Sequence, residues 1–567
     1  MTPDGQAELR QARAALRPLF LAVILFSAFV NLLMLTGPLF MLQVYDRVLG
    51  SGSEATLLAL FLLVAFLYGA MAVLDVVRGQ IMSRAGARFQ AALDRRVFDA
   101  ALRRTDDPAA ERDLDLLRQF IASPVLLALI DLPWTPLFVL GIFLFHPLMG
   151  GLAVAGGAGL LALAIANQMT TARKRAEAAR AGIATDRLAA QFRADAEPLG
   201  ALGMRKAAHD RWEAARRRML DQAVAAGDLG AAFGATTKTL RQFLQSAMLA
   251  LGAWLVLRHE VTSGAMIAGS VLLGRALAPI ETLVGQWSLL QSARLAWTRL
   301  AHLLGAAPER PKRMALNRPA ARLEVQDLVL AAPGKRVPVL QRIAFSVAPG
   351  QAVGVIGASA AGKTALARAL AGIWPPAAGT IRLDGVAIDQ YGEDVLGGLL
   401  GYLPQQVRLF DGTVAENIAR LSPDPDPQAV LRAARRAGVH EMILRLPDGY
   451  DTRITAEGGQ LSGGQIQRIG LARAFFGDPV MLILDEPNAN LDNDGCMAVN
   501  RAIRDIKAAG GIALIMAHRP AALQECDLLL MLDSGRQVAF GPRDEVLRSR
   551  VRNSPQIMLA AHAGGGA

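Results

Sequence analysis

The sequence predicts two architectures in one chain: an all-α half of six membrane-crossing helices, then an α/β half in which strands alternate with helices. Three observations carry this. Long apolar runs crowd the first half. From Leu323 onward, short apolar strands alternate with helical runs, the pattern of helices layered on a sheet. One of those strands ends in a glycine-flanked turn that opens directly into a helix. At 567 residues the chain is too long for one ordinary core. Hydrophobic residues make up 53% of it and the mean hydropathy is +0.31, high for a soluble protein.

In chain order, residues 1–17 are polar, with Arg10, Arg13 and Arg17, and read as a short cytoplasmic arm. Six spans follow, at 18–43, 55–77, 122–145, 147–168, 229–257 and 263–285. Each supplies the ~20 apolar residues that cross a bilayer. The net charge of +11 does not indicate nucleic acid, because the basic residues lie mainly between the apolar runs. Eight arginines run from Arg84 to Arg118 after the second span, and twelve lysines and arginines from Arg173 to Arg218 after the fourth. The turn His146-Pro147-Leu148-Met149-Gly150 has none. The excess of positive charge on cytoplasmic loops therefore puts the N-terminus, both long loops (79–121 and 169–228) and the second half in the cytoplasm.

Those loops are rich in Ala, Arg, Glu and Leu, so the spans are expected to continue as helices beyond the membrane. Breaks near Asp106-Asp107-Pro108 and Glu197-Pro198-Leu199-Gly200 are candidates for short transverse helices. Asp131, Lys238, Arg241, Arg275 and Glu281 fall inside spans, where charge is costly; they either line a translocation route or form structural ion pairs. Pro133 and Pro136 should kink the third span. The membrane domain is set at 18–305, a linker at 306–322, the α/β domain at 323–550 and a flexible tail at 551–567. No cleavable signal peptide is visible, and Cys496 and Cys526 have no metal-ligand spacing.

In the second half the strand Val353-Gly354-Val355-Ile356 leads into Gly357-Ala358-Ser359-Ala360-Ala361-Gly362-Lys363-Thr364, then a helical run from Ala365. This is the phosphate-binding loop in its required strand–loop–helix context. Glycines let backbone N–H groups turn around a phosphate, and the helix N-terminus adds partial positive charge. Lys363 reaches the β- and γ-phosphates and the Thr364 hydroxyl ligates Mg²⁺. The blander reading, a glycine-rich turn with an incidental lysine, does not explain the motifs that follow. These are Gln405 in Gly401-Tyr402-Leu403-Pro404-Gln405, then Leu461-Ser462-Gly463-Gly464-Gln465, then Asp485-Glu486 closing the strand Val480–Leu484. Asp492 comes next, and His518 follows the strand Ile512–Met516.

With these residues the second half resembles the nucleotide-binding domain of ATP-binding-cassette transporters, whose signature is LSGGQ. The resemblance implies that the chain binds ATP and Mg²⁺ and is an ATPase. It makes Glu486 the general base, with His518 and Gln405 sensing the γ-phosphate. Gly357, Ala358, Ser359, Ala360, Ala361, Gly362, Lys363 and Thr364 would hold the nucleotide. Ser462, Gly463, Gly464 and Gln465 of the opposite subunit would grip it, with Asp492 at the dimer seam. Thr364, Gln405 and Asp485 would hold the metal. Two departures stand out. No aromatic occurs in Leu328–Pro333, where such domains often stack on adenine, and Thr455-Ala456 replaces the usual Gly-Glu pair before the signature, with Glu457 one place later.

One membrane half and one motor half resemble a half-transporter of the type I exporter fold, which implies a homodimer sandwiching two nucleotides. The membrane half is also similar to type I secretion permease/ATPases, in the branch that exports proteases and lacks an N-terminal peptidase-like domain. The residues concerned are Gly37–Leu49, Asp131-Leu132-Pro133-Trp134, Gly264–Ala268 and Arg275-Ala276-Leu277, and in the motor half Tyr402-Leu403-Pro404-Gln405 with Gly438–Ile443 carries the same resemblance. That resemblance implies an inner-membrane translocase for unfolded polypeptides, partnered by a periplasmic adaptor and an outer-membrane channel and surrounded by membrane lipid. An exporter of lipid, glycan or drug is the alternative, and a membrane-bound regulatory ATPase without cargo a further one.

Overall fold

The computed structural model describes residues 4–103, 110–309, 317–334, 337–455, 461–488, 491, 493–517 and 523–550. The chain divides into two compact units, Met1–Arg310 and Pro311–Ala567.

The first unit is helical. Six helical stretches are long and apolar enough to cross a membrane: Arg17–Ser51, Glu54–Arg103, Pro124–Phe145, Pro147–Ala194, Arg205–Leu257 and Ser263–Gly285. The second, fourth and fifth run for 50, 48 and 53 residues. At 1.5 Å per residue that is roughly 75 Å, more than twice the ~30 Å hydrocarbon thickness. The basic loops are thus direct continuations of the spans. The first stretch changes hand-hold midway: Arg17–Leu33 and Thr36–Gln43 give way to a π-helical turn at Val44–Val48 and stop at Gly52, whose φ of 67° ends the helix. In the third, the Pro133 and Pro136 kink takes the form of a 3-10 turn, Leu132–Trp134, between Pro124–Asp131 and Thr135–Phe145.

A short helix, Ala196–Ala201, forms at the second sequence break. The first break, Asp106-Asp107-Pro108, lies outside the described residues; beyond it, helix Ala110–Ile121 buries Leu114 and Leu117 and pairs Asp113 with Arg299 at 2.6 Å. The N-terminal arm is a docked helix, Asp4–Ala14. Leu9 is wholly buried. Gly5 lies so close to the helix Trp287–Ala306 that a Cβ there would sit 2.1 Å from the Ala301 carbonyl oxygen. Arg96 pairs with Glu8 at 3.0 Å and donates to the carbonyl oxygen of Ala307, tying the arm to that helix.

The second unit is built on strands β1 (Leu323–Ala331), β2 (Pro338–Val347), β3 (Ala352–Ile356), β4 (Ala378–Leu383), β5 (Val386–Ala387), β6 (Leu400–Leu403), β7 (Gly412–Thr413), β8 (Arg453–Ile454), β9 (Met481–Asp485), β10 (Ile512–Met516), β11 (Leu528–Asp533) and β12 (Arg536–Pro542). Ten of them form one sheet in the order β5-β4-β1-β2-β12-β11-β3-β10-β9-β6. Strands β11, β3, β10, β9 and β6 are mutually parallel, whereas β5, β4, β1 and β2 pair antiparallel. The parallel strands read as unbroken apolar runs because both faces are covered. Side chains alternate between the faces. Leu482, Leu484, Ala513 and Ile515 pack with helix Gly463–Phe475 on one side. Val353, Val355, Ile483 and Leu514 pack with helix Lys363–Leu370 on the other.

Candidate nucleotide site

The parallel strands deliver the site. Val355, Met516 and Asp485 stand in one row across β3, β10 and β9, and Leu403 of β6 pairs with Leu484 beside them. The loops leaving the carboxyl ends of these strands therefore converge, which is where open α/β sheets bind ligands.

The β3 loop carries Gly357 to Gly362. A Cβ on Gly357 would lie 2.2 Å from the Leu532 carbonyl oxygen, and Gly362 has φ 103° with Leu340 Cδ2 2.5 Å from any added Cβ. Neither position admits a side chain. Ala360 adopts the left-handed region at φ 65°. Ala358, Ser359 and Ala360 are exposed while Ala361 is buried, and Thr364 is half-buried in the first turn of the helix. Lys363 is 6% exposed, and its ammonium donates to the carbonyl oxygens of Gly357 (2.8 Å) and Ala358 (2.9 Å). Burial lowers its pKa, and Glu486 and Asp485 work against that. The lysine braces the loop that it would share with a phosphate.

Asp485 ends β9 at 1% exposure, and neither carboxylate oxygen has a hydrogen-bond partner among the described residues. Burial pushes its carboxyl up; the neighbouring Thr364 hydroxyl, Arg368 and Lys363 pull it down, against the charge of Glu486. A buried carboxylate beside a threonine hydroxyl is the donor set a divalent cation satisfies. Glu486 follows in the left-handed region at φ 51°, held by its N–H on the Met516 carbonyl oxygen (3.0 Å). A glutamate in that conformation carries backbone strain, of the kind that clusters at functional sites. Gln405 reaches across from the end of β6, its Nε2 donating to Glu486 Oε2 at 3.1 Å.

Ser462 caps helix Gly463–Phe475: Gln465 N donates to its hydroxyl (3.3 Å), and Gln465 Oε1 accepts from Ser462 N (2.8 Å). The motif thus doubles as a capping box, which points the N–H groups of Gly463 and Gly464 outward with the positive end of the helix. Among the described residues no hydrogen bond links Ser462, Gly463, Gly464 or Gln465 to the phosphate loop. His518, Asp492, Ala456 and Glu457 lie outside the described residues. Arg368 near Asp485, and the buried Asn417 with the half-buried Arg473 beside the Gln405 loop, escaped the sequence reading. Their one legible sign was a polar residue inside an apolar helical run, as in Leu471-Ala472-Arg473-Ala474-Phe475.

In the membrane half the charges within spans are mostly paired. Asp131 accepts from Arg78 (3.1 Å to both oxygens) and from Asn31 Nδ2 (2.9 Å). Arg241 pairs with Glu281 at 2.8 Å. Asp131 and Arg275 also line a cavity of about 220 Å³ with Pro124 and Pro279. Lys238 is exposed.

A helical membrane unit of six spans joined to a parallel-sheet unit with this loop set defines a nucleotide-driven exporter half. The family comparisons agree: residues 340–489 match the ABC transporter model and residues 20–105 the ABC transporter transmembrane region. The chain is 43% identical, over 97% of its length and 95% of the relative's, to the type I secretion system ATP-binding protein PrsD of Rhizobium meliloti. It is 28% identical, over 93% of its length and 75% of the relative's, to the cyclolysin secretion/processing ATP-binding protein CyaB of Bordetella pertussis. A solved bacterial Atm1-family ABC exporter with ATP bound shares the fold, with a TM-score of 0.81 at 21% identity over 98% of this chain and all of that one. The chain belongs to the ATP-binding-cassette exporters, as a half-transporter of the type I exporter fold. It is a multi-pass membrane protein that binds nucleotide, an ATPase coupled to transport.

Proposed function

We propose that this chain is the motor of a type I secretion system: an inner-membrane homodimer that hydrolyses ATP to export unfolded polypeptides through a periplasmic adaptor and an outer-membrane channel. One observation carries the reading. The 43% identity to a type I secretion ATP-binding protein extends over 97% of the chain, so it includes the membrane half and not only the shared motor motifs.

In this reading Lys363 and the N–H groups of residues 357–364 bind the nucleotide phosphates. Asp485 and Thr364, with Gln405, would hold Mg²⁺, which when bound would supply positive charge against the nucleotide phosphates. Glu486 takes the proton from the attacking water, oriented by the Gln405 amide on its Oε2. Ser462 and the N–H groups of Gly463 and Gly464 close on the γ-phosphate of the opposite subunit. His518 and Asp492 complete the site by their motif positions.

Cargo identity is tested by secretion with the cognate adaptor and channel present, using a cargo fused to a fast-folding, stable domain. The stable fusion is expected to jam and a destabilised version of it to pass. Equal export of both counts against unfolded passage. ATP-dependent lipid or drug transport in vesicles, without any exported protein, moves the assignment to a small-molecule or lipid exporter. ATPase activity indifferent to every cargo leaves a regulatory ATPase.

A further inference from the structure

The loop after Gln405 has no helix or strand of its own from Pro404 to Asp411, and side chains from two helices hold its main chain. Asn417, wholly buried on the short helix Val414–Ile418, accepts from Phe410 N (2.8 Å) and donates to the carbonyl oxygens of Phe410 (2.8 Å) and Thr413 (3.0 Å). Arg473, in the last turn of helix Gly463–Phe475, donates to the Arg408 carbonyl oxygen (2.9 Å), the Asn417 carbonyl oxygen (2.8 Å) and Asn417 Oδ1 (2.7 Å). Its guanidinium also lies 5.3 Å from the centroid of the Phe410 ring. Arg420 donates to the carbonyl oxygens of Arg473 (3.1 Å) and Ala474 (3.2 Å), bracing the end of the same helix.

Partial burial and the nearby charge of Arg420 lower the Arg473 pKa to about 10. The planar fork of arginine is what makes the arrangement serve geometry: it fixes several acceptors at once, which a lysine does not. The result is a continuous path of side-chain contacts joined by short stretches of main chain. Glu486 meets Gln405, the Gln405 loop meets Arg473 three residues later at Arg408, and Arg473 belongs to the helix that Ser462 caps.

We propose that Arg473 is a positioning residue that holds the Gln405 loop and the helix of Ser462 in one register, so that the Gln405–Glu486 contact and the Ser462 cap are set together. The proposal rests on the roles given above to Glu486, Gln405 and Ser462. Phe410 acts only through the guanidinium, as the apolar face on which it lies.

The experiment uses the full-length protein in lipid nanodiscs, with variants Arg473→Lys, Phe410→Leu and the two combined. Arg473→Lys is expected to lower kcat about tenfold, since most of the fork's hydrogen bonds go. ATP affinity, read in a Glu486→Gln background, stays within about twofold, because no phosphate contact changes. Phe410→Leu is expected to lower kcat about threefold, and the double variant to match Arg473→Lys alone, the signature of one shared path. Unchanged kcat in folded Arg473→Lys overturns the proposal. So does a loss of kcat that is matched by equal losses of ATP affinity and thermal stability, which is what a purely structural arginine gives. Should Arg473→Lys not fold, Phe410→Leu decides, and an unchanged kcat in it is fatal. Sustained hydrolysis by Glu486→Gln instead refutes the underlying site reading, and is seen independently of Arg473.

Discussion

At the scale of single residues, the site separates holding from chemistry. Lys363 is buried and bonded to its own loop, so it is part of the scaffold even before a phosphate arrives. Glu486 is the residue held in a strained backbone conformation, with its carboxylate met by Gln405. In the proposed reading, Glu486→Gln keeps the shape and loses the proton acceptor. It is expected to bind ATP with near-normal affinity while turnover falls by about 100-fold or more. Lys363→Ala is expected to weaken binding itself. Nucleotide affinity and steady-state hydrolysis, measured on both, check the division; near-normal turnover by the glutamine variant would remove Glu486 as the base.

At the scale of elements, helices in the membrane half are joined by charge as well as by packing. Arg78 sits between Asp75 (2.8 Å) and Asp131 (3.1 Å), and Asn31 brings in the first span, so three spans meet on one buried network. Removing one partner leaves a desolvated guanidinium, whereas removing both leaves apolar packing. Asp131→Leu is therefore expected to destabilise by about 2–3 kcal/mol, tempered because Asp75 stays. Arg78→Met combined with Asp131→Leu should recover at least half of that. Thermal unfolding in nanodiscs reads the difference; a double variant less stable than Asp131→Leu would show that the pair is not an isolated structural unit.

At the scale of the whole molecule, each chain carries one phosphate loop and one capped signature helix, and the reading of the site needs both from different chains. Lys363→Ala and Ser462→Arg homodimers are each expected to be inactive. A mixed dimer retains one intact composite site beside one doubly damaged site, so purified mixed dimers should hydrolyse ATP at up to about half the normal rate, taking the two sites as independent. Full activity in an isolated monomer is incompatible with composite sites.

The sequence by itself determined the six spans, their order and the strand–loop–helix around Lys363, because apolar run length and glycine placement are local signals. It also determined the order of Gln405, Ser462, Asp485 and Glu486. What it left open was decided by side chains far apart in the chain. The partners of Asp131, Arg78 and Asn31, stand 53 and 100 residues away in the chain, where no local signal shows them. The N-terminal arm read as a polar segment, because one buried leucine and one close-packed glycine leave little periodic signal in eleven residues. Nothing local in the sequence paired Arg473 with the Arg408 carbonyl and Asn417, which the fold places against it. Spans and loops are written in neighbouring residues; desolvation and its compensation exist only once distant groups share the same low-dielectric space.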